Sequence, residues 1–422
     1  TVDKAFAAGD RFRAGDVDAI FLYVTTYALS ATVLPIVQRA RVPVIILTLQ
    51  PDLAIDYARF NARTDRTAMT GDWLAWCAAC PAPEIANVLK RAQISCHEVV
   101  GSLLADDPCW QEVDDWVAAV RVARTLAYNR CGLIGHYYNG MLDIYTDVTQ
   151  VQACFGGHFE ILEIDELAAL RRAVPDVDAD ARVTEFEAYF DLQDGVTRQE
   201  LVRAARTSVA LDGLVARYNL GSIAYYHEGT PGSEHQDVIG SVILGCSLLI
   251  DRHVAVAGEY EVKNALAMKI MDSFGAGGSF SEYYALDLAD DVVLFGHDGP
   301  GHIGIAQGKI KVRPLAVYHG KPSSGLSVEM SVAHGPVTLL SVVEDQAGGF
   351  FLLYAHAESV AGPILEIGNT NSRYRFPLPA RDFVKNWNAQ GPAHHCAIGI
   401  GHVGQRLEKL AVLLGLRAEK IC

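Results

Sequence analysis

The sequence predicts an α/β protein with two doubly wound parallel-sheet domains, followed by a β-rich, barrel-like C-terminal domain. Short apolar runs rich in β-branched residues alternate with amphipathic helical segments up to about residue 275. Beyond that point the pattern changes to short strands with close turns. A chain of 422 residues is also too long for a single core. We expect domains at 1–128, 129–275 and 276–422.

The N-terminal domain is predicted from two buried strands, "AIFLYVTT" and "VPVIILTL", joined by the crossover helix "ATVLPIVQRA". A helix over "QEVDDWVAAVRVARTLAYNR" presents one apolar stripe. The opening residues read as the end of a helix, a loop and a strand. We therefore expect the first strand and helix of this domain to lie upstream of Thr1.

The central domain is predicted from the strands "CGLIGHYY", "HFEILEI" and "SIAYYH". One helix opens at Thr197, where Glu200 has capping-box spacing. Another helix is expected over 259–274, with apolar residues spaced by four. Because parallel strands present their carboxyl ends at one edge of a sheet, that edge is where ligand-binding loops are expected.

The C-terminal domain is predicted from the strands "DVVLFGH", "GKIKVRPLAVYHG", "LSVEMSVAH", "PVTLLSVVED" and "GFFLLYAHA". One amphipathic helix closes the chain, with Val403, Leu407, Leu410 and Leu414 on its buried side.

Composition disfavours several classes of partner. The net charge of −15 argues against binding to nucleic acid. No run approaches the ~18 apolar residues of a transmembrane helix, so no membrane partner is expected. Nine scattered cysteines and no visible signal peptide indicate reduced thiols and a cytoplasmic location. "CAAC" at 77–80, followed by "CH", leaves a zinc site and ordinary buried thiols as alternatives.

Three stretches carry residues suited to chemistry. Glu259 opens a predicted helix, Glu282 follows a glycine-rich turn, and His297 directly follows a strand. The segment "GPAHHCAIGIGH" adds His394 and His395. Two carboxylates with two imidazoles suit Mn²⁺, Fe²⁺, Co²⁺ or Zn²⁺. Each residue also has a structural interpretation, as a dipole partner, a solvated loop charge, a turn cap or a core histidine, and spacing alone does not show that they meet.

The segments "GEYEVKNALAMKIMDSFGAGGSFSEYY", "LFGHDGPGH" and "GPAHHCAIGIGH" resemble, in this order, the L-arabinose isomerase/L-fucose isomerase superfamily, and are closer to the arabinose isomerase side. That side typically has "EGDxK", "SFxEDY", "GxH" and "GGAHH". The resemblance implies that Glu259, Glu282, His297 and His395 bind a divalent metal. It implies Mn²⁺ first, with Co²⁺, Fe²⁺ or Zn²⁺ as alternatives. It also implies that the two glutamates are the catalytic acid/base pair.

The same resemblance implies an intramolecular oxidoreductase that converts a free sugar such as L-arabinose to L-ribulose, or a related pentose or hexose. It further implies a homo-oligomer, hexameric or built from trimers. Asp298, Lys263, His302 and His394 are expected behind the ligands. The residues expected to bind the sugar are His227, Met141, His394, Asn371 and Arg373, with Asn369 also offered by the 366–376 loop.

The sequence departs from the family pattern in four places. Glu261 stands where aspartate is usual, and Pro392 replaces a glycine. "WCAACPAPE" lacks the expected histidine, and His227 replaces an aromatic residue. The metal chemistry is therefore better supported than the identity of the sugar. The alternatives are an L-fucose/D-arabinose-type isomerase, a metal-dependent epimerase or aldolase-like lyase, and a non-catalytic sugar-binding protein. Proton transfer and hydride shift both stay open.

Overall fold

The chain divides into two compact units, residues 1–121 and 122–422. The computed structural model describes residues 1–318, 321–322 and 324–422. Among these residues, no helix has both the length and the apolar character needed to cross a bilayer. No disulfide joins the nine cysteines, all of which lie in the described part.

The first unit is a three-stranded parallel sheet with helices. The central strand is apolar, β-branched and almost wholly buried, and its neighbours pair with it in parallel register, Ile20 with Val44 and Val44 with Cys96. The elements are α1 Val2–Ala14, β1 Ile20–Tyr23, α2 Ser30–Ala40, β2 Val44–Gln50, α3 Tyr57–Asn61, α4 Arg66–Trp76, α5 Ala82–Arg91, β3 Cys96–Ser102 and α6 Cys109–Ala127, which runs on into the second unit.

The second unit opens with a four-stranded parallel sheet of order β5-β4-β7-β8. Its elements are β4 Arg130–Gly135, α7 Val148–Phe155, β5 His158–Leu162, α8 Ile164–Arg172, α9 Asp176–Tyr189, β6 Phe190–Leu192, α10 Arg198–Tyr218, β7 Ser222–Tyr226, α11 Glu234–Ile239, α12 Ile243–Asp251, β8 Ala255–Ala257 and α13 Val262–Ser273. The two predicted parallel sheets are thus present.

The rest of the second unit is built on a large, mostly antiparallel sheet of order β15-β18-β9-β10-β17-β16-β19, which closes because β15 also pairs with β16. Its elements are β9 Ser279–Asp287, β10 Val292–His297, β11 Ile310–Pro314, β12 Val317–Tyr318, β13 Lys321–Pro322, β14 Leu326–Glu329, β15 Gly335–Glu344, β16 Phe350–Val360, β17 Thr370–Arg375, α14 Ala380–Ala389, β18 His395–Ile400, α15 Gly404–Leu413 and β19 Arg417–Lys420.

Several predicted elements differ from the structure. The predicted strand "GKIKVRPLAVYHG" is two strands, β11 and β12, and its residues 319–320 lie outside the described residues. Strand β11 lies between β14 and β6 in a separate three-stranded sheet, so neither β11 nor β14 belongs to the closed sheet. The helix expected from residue 259 begins at Val262, because Glu259 and Tyr260 have left-handed backbone conformations. The three-domain boundaries stay a prediction.

The close packing of α12 on α10 yields a stability prediction. A Cβ added at Gly245 in α12 would lie 2.8 Å from Cα of Ser208 in α10, so the backbones would have to separate. We expect Gly245→Ala to lower the free energy of unfolding by about 1–3 kcal/mol. The matched control is Gly213→Ala on the exposed side of α10, where nothing lies within 4 Å. It should raise stability by about 0.5–1 kcal/mol through helix propensity. Urea unfolding of both variants checks this; equal effects would contradict it.

Candidate metal centre

One part of the site lies where strands of the parallel sheet end. His136 follows β4, His227 follows β7, and Glu259 comes two residues after β8. Glu259 and Tyr260 have φ of 56° and 62°, a conformation that non-glycine residues adopt at a cost of about 1–3 kcal/mol each. The backbone N–H of Tyr260 donates to the carbonyl of Tyr225 at 3.0 Å, which holds this turn against β7. Consecutive strained residues, one of them a buried glutamate, indicate a functional turn.

The other part comes from three neighbouring strands of the closed sheet. Glu282 on β9 pairs directly with His395 on β18 and, on its other side, with Gly296 on β10. His297 is the last residue of β10. Directly paired residues of antiparallel strands lie close together on the same face. Strand pairing therefore brings together residues that are more than a hundred positions apart in the sequence.

These two parts meet in one cluster. Nε2 of His395 lies 3.5 Å from a carboxylate oxygen of Glu259 and 3.2 Å from Nε2 of His297. Nε2 of His297 lies 3.8 Å from the other oxygen of Glu259. Two overlapping groups have the geometry to hold a metal ion, Glu259 with His394 and His395, and Glu282 with His297 and His395. The cluster thus contains all four predicted ligand residues and adds His394.

The imidazole nitrogens fit a bound cation. Nδ1 of His297 lies 2.5 Å from the carbonyl oxygen of Asp298, which can only accept a hydrogen bond, so Nδ1 carries the proton. Nδ1 of His395 is hydrogen-bonded to the carboxylate of Glu261. When the Glu261 carboxylate is ionised, it can only accept this hydrogen bond, so Nδ1 of His395 carries the proton. The Nε2 atoms of the two imidazoles then face each other, an arrangement that a shared proton or a metal ion stabilises. A carboxylate behind a histidine is also the usual support for a metal ligand.

Burial and charge perturb the groups of the cluster. Burial raises the pKa of Glu261 to about 8 and also raises the pKa of Glu282. For His297, burial opposes the charged form, but Asp298 and the two glutamates outweigh it and raise the pKa to about 9. Burial, with the neighbouring His297 and His394, holds the pKa of His395 well below its usual value. Such concentrated perturbation is typical of a functional site.

The cluster has one accessible side. Glu259, His297 and His395 are 4%, 4% and 1% exposed, whereas the side chains of His394 and Glu282 are 32% and 33% exposed. A small molecule would therefore reach the cluster past Glu282 and His394.

Asp143 contacts the cluster although no sequence pattern pointed to it. Its carboxylate accepts from the backbone N–H of His394 at 2.9 Å and contacts Nδ1 of the same residue at 2.6 Å. Lys263 donates to the carbonyl of Asp143 at 2.6 Å and so anchors the turn that carries it. Nε2 of His394 consequently faces Glu259 at 3.5 Å. Glu261, which the sequence marked only as a departure from the family pattern, was likewise not predicted as a partner of His395. No spacing in the sequence links Asp143 to His394 or Glu261 to His395.

The predicted sugar-binding residues lie in different places. His394 lines the cluster, Met141 lies two residues before Asp143, and His227 follows β7 beside the rings of His136 and His235. Asn371 and Arg373 are 0% and 3% exposed and hydrogen-bond the loop backbone at Leu365 and Pro363. They hold the 363–369 loop, and a contact with sugar stays a prediction.

Two further residues that the sequence analysis named, Asn369 and His302, have contacts outside the cluster. Asn369 donates to the hydroxyl of Tyr284 at 3.3 Å. His302, expected behind the ligands, packs near Gly277 and Gly304, and its backbone N–H points to the sulfur of Met330. Asp298, by contrast, accepts a hydrogen bond from His297, and Lys263 donates one to the carbonyl of Asp143.

The support of His395 by Glu261 predicts a measurable effect on metal binding. We expect the protein to bind Mn²⁺, and Glu261→Gln to weaken the affinity about 10–100-fold, the usual consequence of losing a carboxylate behind a histidine ligand. Titration calorimetry with Mn²⁺ checks this. The matched control is Glu358→Gln, an exposed carboxylate on β16, which should leave the affinity unchanged. Equal affinities of wild type and Glu261→Gln would contradict the assignment.

Comparison with known proteins finds distant relatives of the chain. No family model matches the chain. The L-arabinose isomerase of Aeromonas salmonicida (strain A449) is 24% identical over 330 residues, which are 74% of this chain and 64% of that protein. The L-arabinose isomerase of Nocardioides sp. (strain ATCC BAA-499 / JS614) is 22% identical over 349 residues, 79% of this chain and 67% of that protein. The match thus spans about two thirds of these relatives. The chain is similar to L-arabinose isomerases over most of its length, which confirms the resemblance predicted from its motifs.

Proposed function

We propose that the protein is a metal-dependent aldose–ketose isomerase that acts on a free sugar, L-arabinose (to L-ribulose) or a related pentose or hexose. The observation that carries this proposal is the cluster of Glu259, Glu282, His297 and His395, with Glu282 and His394 on its accessible side. The similarity to proteins named L-arabinose isomerase supports it. Mn²⁺ is the proposed ion, with Co²⁺, Fe²⁺ or Zn²⁺ as alternatives.

The proposed roles of the residues are of two kinds, metal binding and proton transfer. Glu259, Glu282, His297 and His395 would hold the ion, which supplies Lewis acidity toward two adjacent sugar oxygens. Glu261 and Asp298 fix the rings of His395 and His297 through their Nδ1 atoms. Glu259 is buried, and its two carboxylate oxygens lie 3.8 Å and 3.5 Å from Nε2 of His297 and His395, which restricts the orientations open to that carboxylate before the sugar arrives.

Proton transfer is assigned to the two glutamates. Moving hydrogen between C1 and C2 of an aldose requires one group that removes a proton at C2 and one that serves the oxygen or C1. The side chain of Glu282 is a third exposed and burial raises its pKa, so it would exchange protons closer to neutral pH than a solvated glutamate does. His394, held by Asp143, presents Nε2 on the same accessible side and would donate a hydrogen bond to a sugar hydroxyl.

The direct test is a screen for ketose formation from L-arabinose, D-galactose, L-fucose and D-arabinose, and for the reverse reaction from L-ribulose. Each reaction is run with Mn²⁺ and with a chelator. Ketose formation that requires the metal supports the proposal. Binding without turnover would instead favour a sugar-binding protein, and epimeric aldose products would indicate an epimerase.

Removing either proposed acid/base group should stop turnover while leaving the fold intact. We expect Glu259→Gln and Glu282→Gln each to lower kcat at least about a hundredfold, the usual scale for a positioned acid or base. Circular dichroism should be unchanged. Glu358→Gln serves as the exposed control and should keep full activity. Near-wild-type turnover in either site variant would show that its carboxylate is structural.

Sugar preference should depend on residues beyond the metal cluster. The cluster addresses C1 and C2, which all aldoses share, so discrimination must come from groups near C3 to C6. A buried donor left without its hydroxyl partner rejects the wrong epimer. We expect His227→Phe to change the ratio of kcat/KM between L-arabinose and D-galactose while isomerisation itself survives. His158→Phe, an exposed histidine on β5, is the control. An unchanged ratio would place the specificity elsewhere.

The similarity also supports proposals on assembly and location. We propose a cytoplasmic homo-oligomer, hexameric or trimer-based, which light scattering of the active protein tests. A fully active monomer would overturn the proposed assembly without affecting the metal chemistry.

A further inference from the structure

Two cysteines of the first unit lie side by side outside the metal centre. Cys77 and Cys80 flank the short turn between α4 and α5, and their sulfur atoms are 2.7 Å apart. The backbone N–H of Cys80 donates to the carbonyl of Cys77 at 3.1 Å, so the turn itself holds the pair together. The spacing of three in this helical turn places both side chains on the same side.

The two sulfurs differ in accessibility. Cys77 is 0% exposed, whereas Cys80 is exposed. A dissolved oxidant would therefore meet Cys80 first, with Cys77 directly behind it. Reversible thiol pairs commonly combine one accessible attacking sulfur with a neighbouring resolving sulfur.

The hydrogen bond between the two sulfurs also makes them different. The thiol of Cys77 donates to the sulfur of Cys80, which raises the pKa of Cys77 to about 11. Helix α5 begins two residues after Cys80, and the partial positive charge of a helix N-terminus favours a nearby thiolate. The neighbouring Glu84 carboxylate accepts hydrogen bonds from the backbone of Ser30 and the hydroxyl of Tyr27.

A metal site does not account for the pair. Among the described residues, neither group with metal-binding geometry contains a cysteine. The zinc alternative left open by "CAAC" and the following "CH" therefore lacks a third ligand in the described structure.

We propose that Cys77 and Cys80 form a reversible dithiol–disulfide pair that is oxidised by hydrogen peroxide, with Cys80 as the attacking sulfur. The Cys80 thiolate attacks one peroxide oxygen; an S–O bond forms, the O–O bond breaks, and the departing hydroxide takes up a proton to become water. The sulfur of Cys77 then attacks Cys80, the S–S bond forms, and the hydroxyl leaves with the Cys77 proton as a second water. The two sulfurs lose two electrons and the peroxide gains them.

The test is peroxide treatment of the full-length native protein, followed by acid quenching, alkylation, trypsin digestion and mass spectrometry. Both cysteines lie in the tryptic peptide 67–90, which contains no other cysteine. We expect this peptide to lose two hydrogen atoms, to resist alkylation, and to regain both thiols on treatment with dithiothreitol. Cys154, half-buried on α7, is the internal reference and should react at least about tenfold more slowly.

Single substitutions separate the roles of the two sulfurs. In Cys77→Ala, peroxide should produce a sulfenic acid on Cys80 that dimedone traps; in Cys80→Ser, Cys77 should stay unreacted. Cys154→Ser should leave the wild-type pattern unchanged. A wild-type peptide that stays reduced while Cys154 oxidises would overturn the proposal, as would dimedone trapping at Cys77 rather than Cys80. Far-ultraviolet circular dichroism confirms that each variant is folded.

Discussion

The cost of burying charge is the constraint on which the candidate metal centre depends. Glu259, Glu261, His297 and His395 are each at most 4% exposed, so every one of their polar atoms must be matched inside the protein. The side chains do this mutually: Glu261 with His395, Asp298 with His297, and Glu259 with both imidazoles. What is left is a pair of nitrogen lone pairs and carboxylate oxygens directed at one another, which is the donor set that a divalent cation needs.

The backbone around the cluster serves this arrangement. The left-handed conformation of Glu259 and Tyr260 turns the chain between β8 and α13, and the hydrogen bond from Tyr260 to β7 holds the turn in place. On the other side, the register of β9 between β10 and β18 determines which residues face each other. A shift of one residue in that register would move Glu282 to the opposite face of the sheet, away from His395.

The buried and the accessible residues of the site have different roles. His297 and His395 are enclosed and orient the centre, whereas Glu282 and His394 are a third exposed and can meet a small molecule. Asp143 connects the two sides, because it fixes His394 while its carbonyl is held by Lys263 from α13. The cysteine pair of the first unit likewise combines a buried sulfur with an accessible one.

Much of this could be predicted from the sequence. Continuous apolar runs such as that of β2 predict buried parallel strands because such a strand is covered on both faces of its sheet. The types of the proposed ligands, two glutamates and two histidines, followed from motifs that resemble a known superfamily. By contrast, Glu261 and Asp143 were missed, and β11 and β14 were assigned to the wrong sheet. Local pattern specifies whether a segment is helix or strand, but it carries no information on which distant segment becomes its neighbour. Only the tertiary structure decided that His395 lies between Glu261 and Glu259 and that His394 lies against Asp143, because hydrogen-bond partners of buried charges are chosen by packing and strand register rather than by sequence spacing.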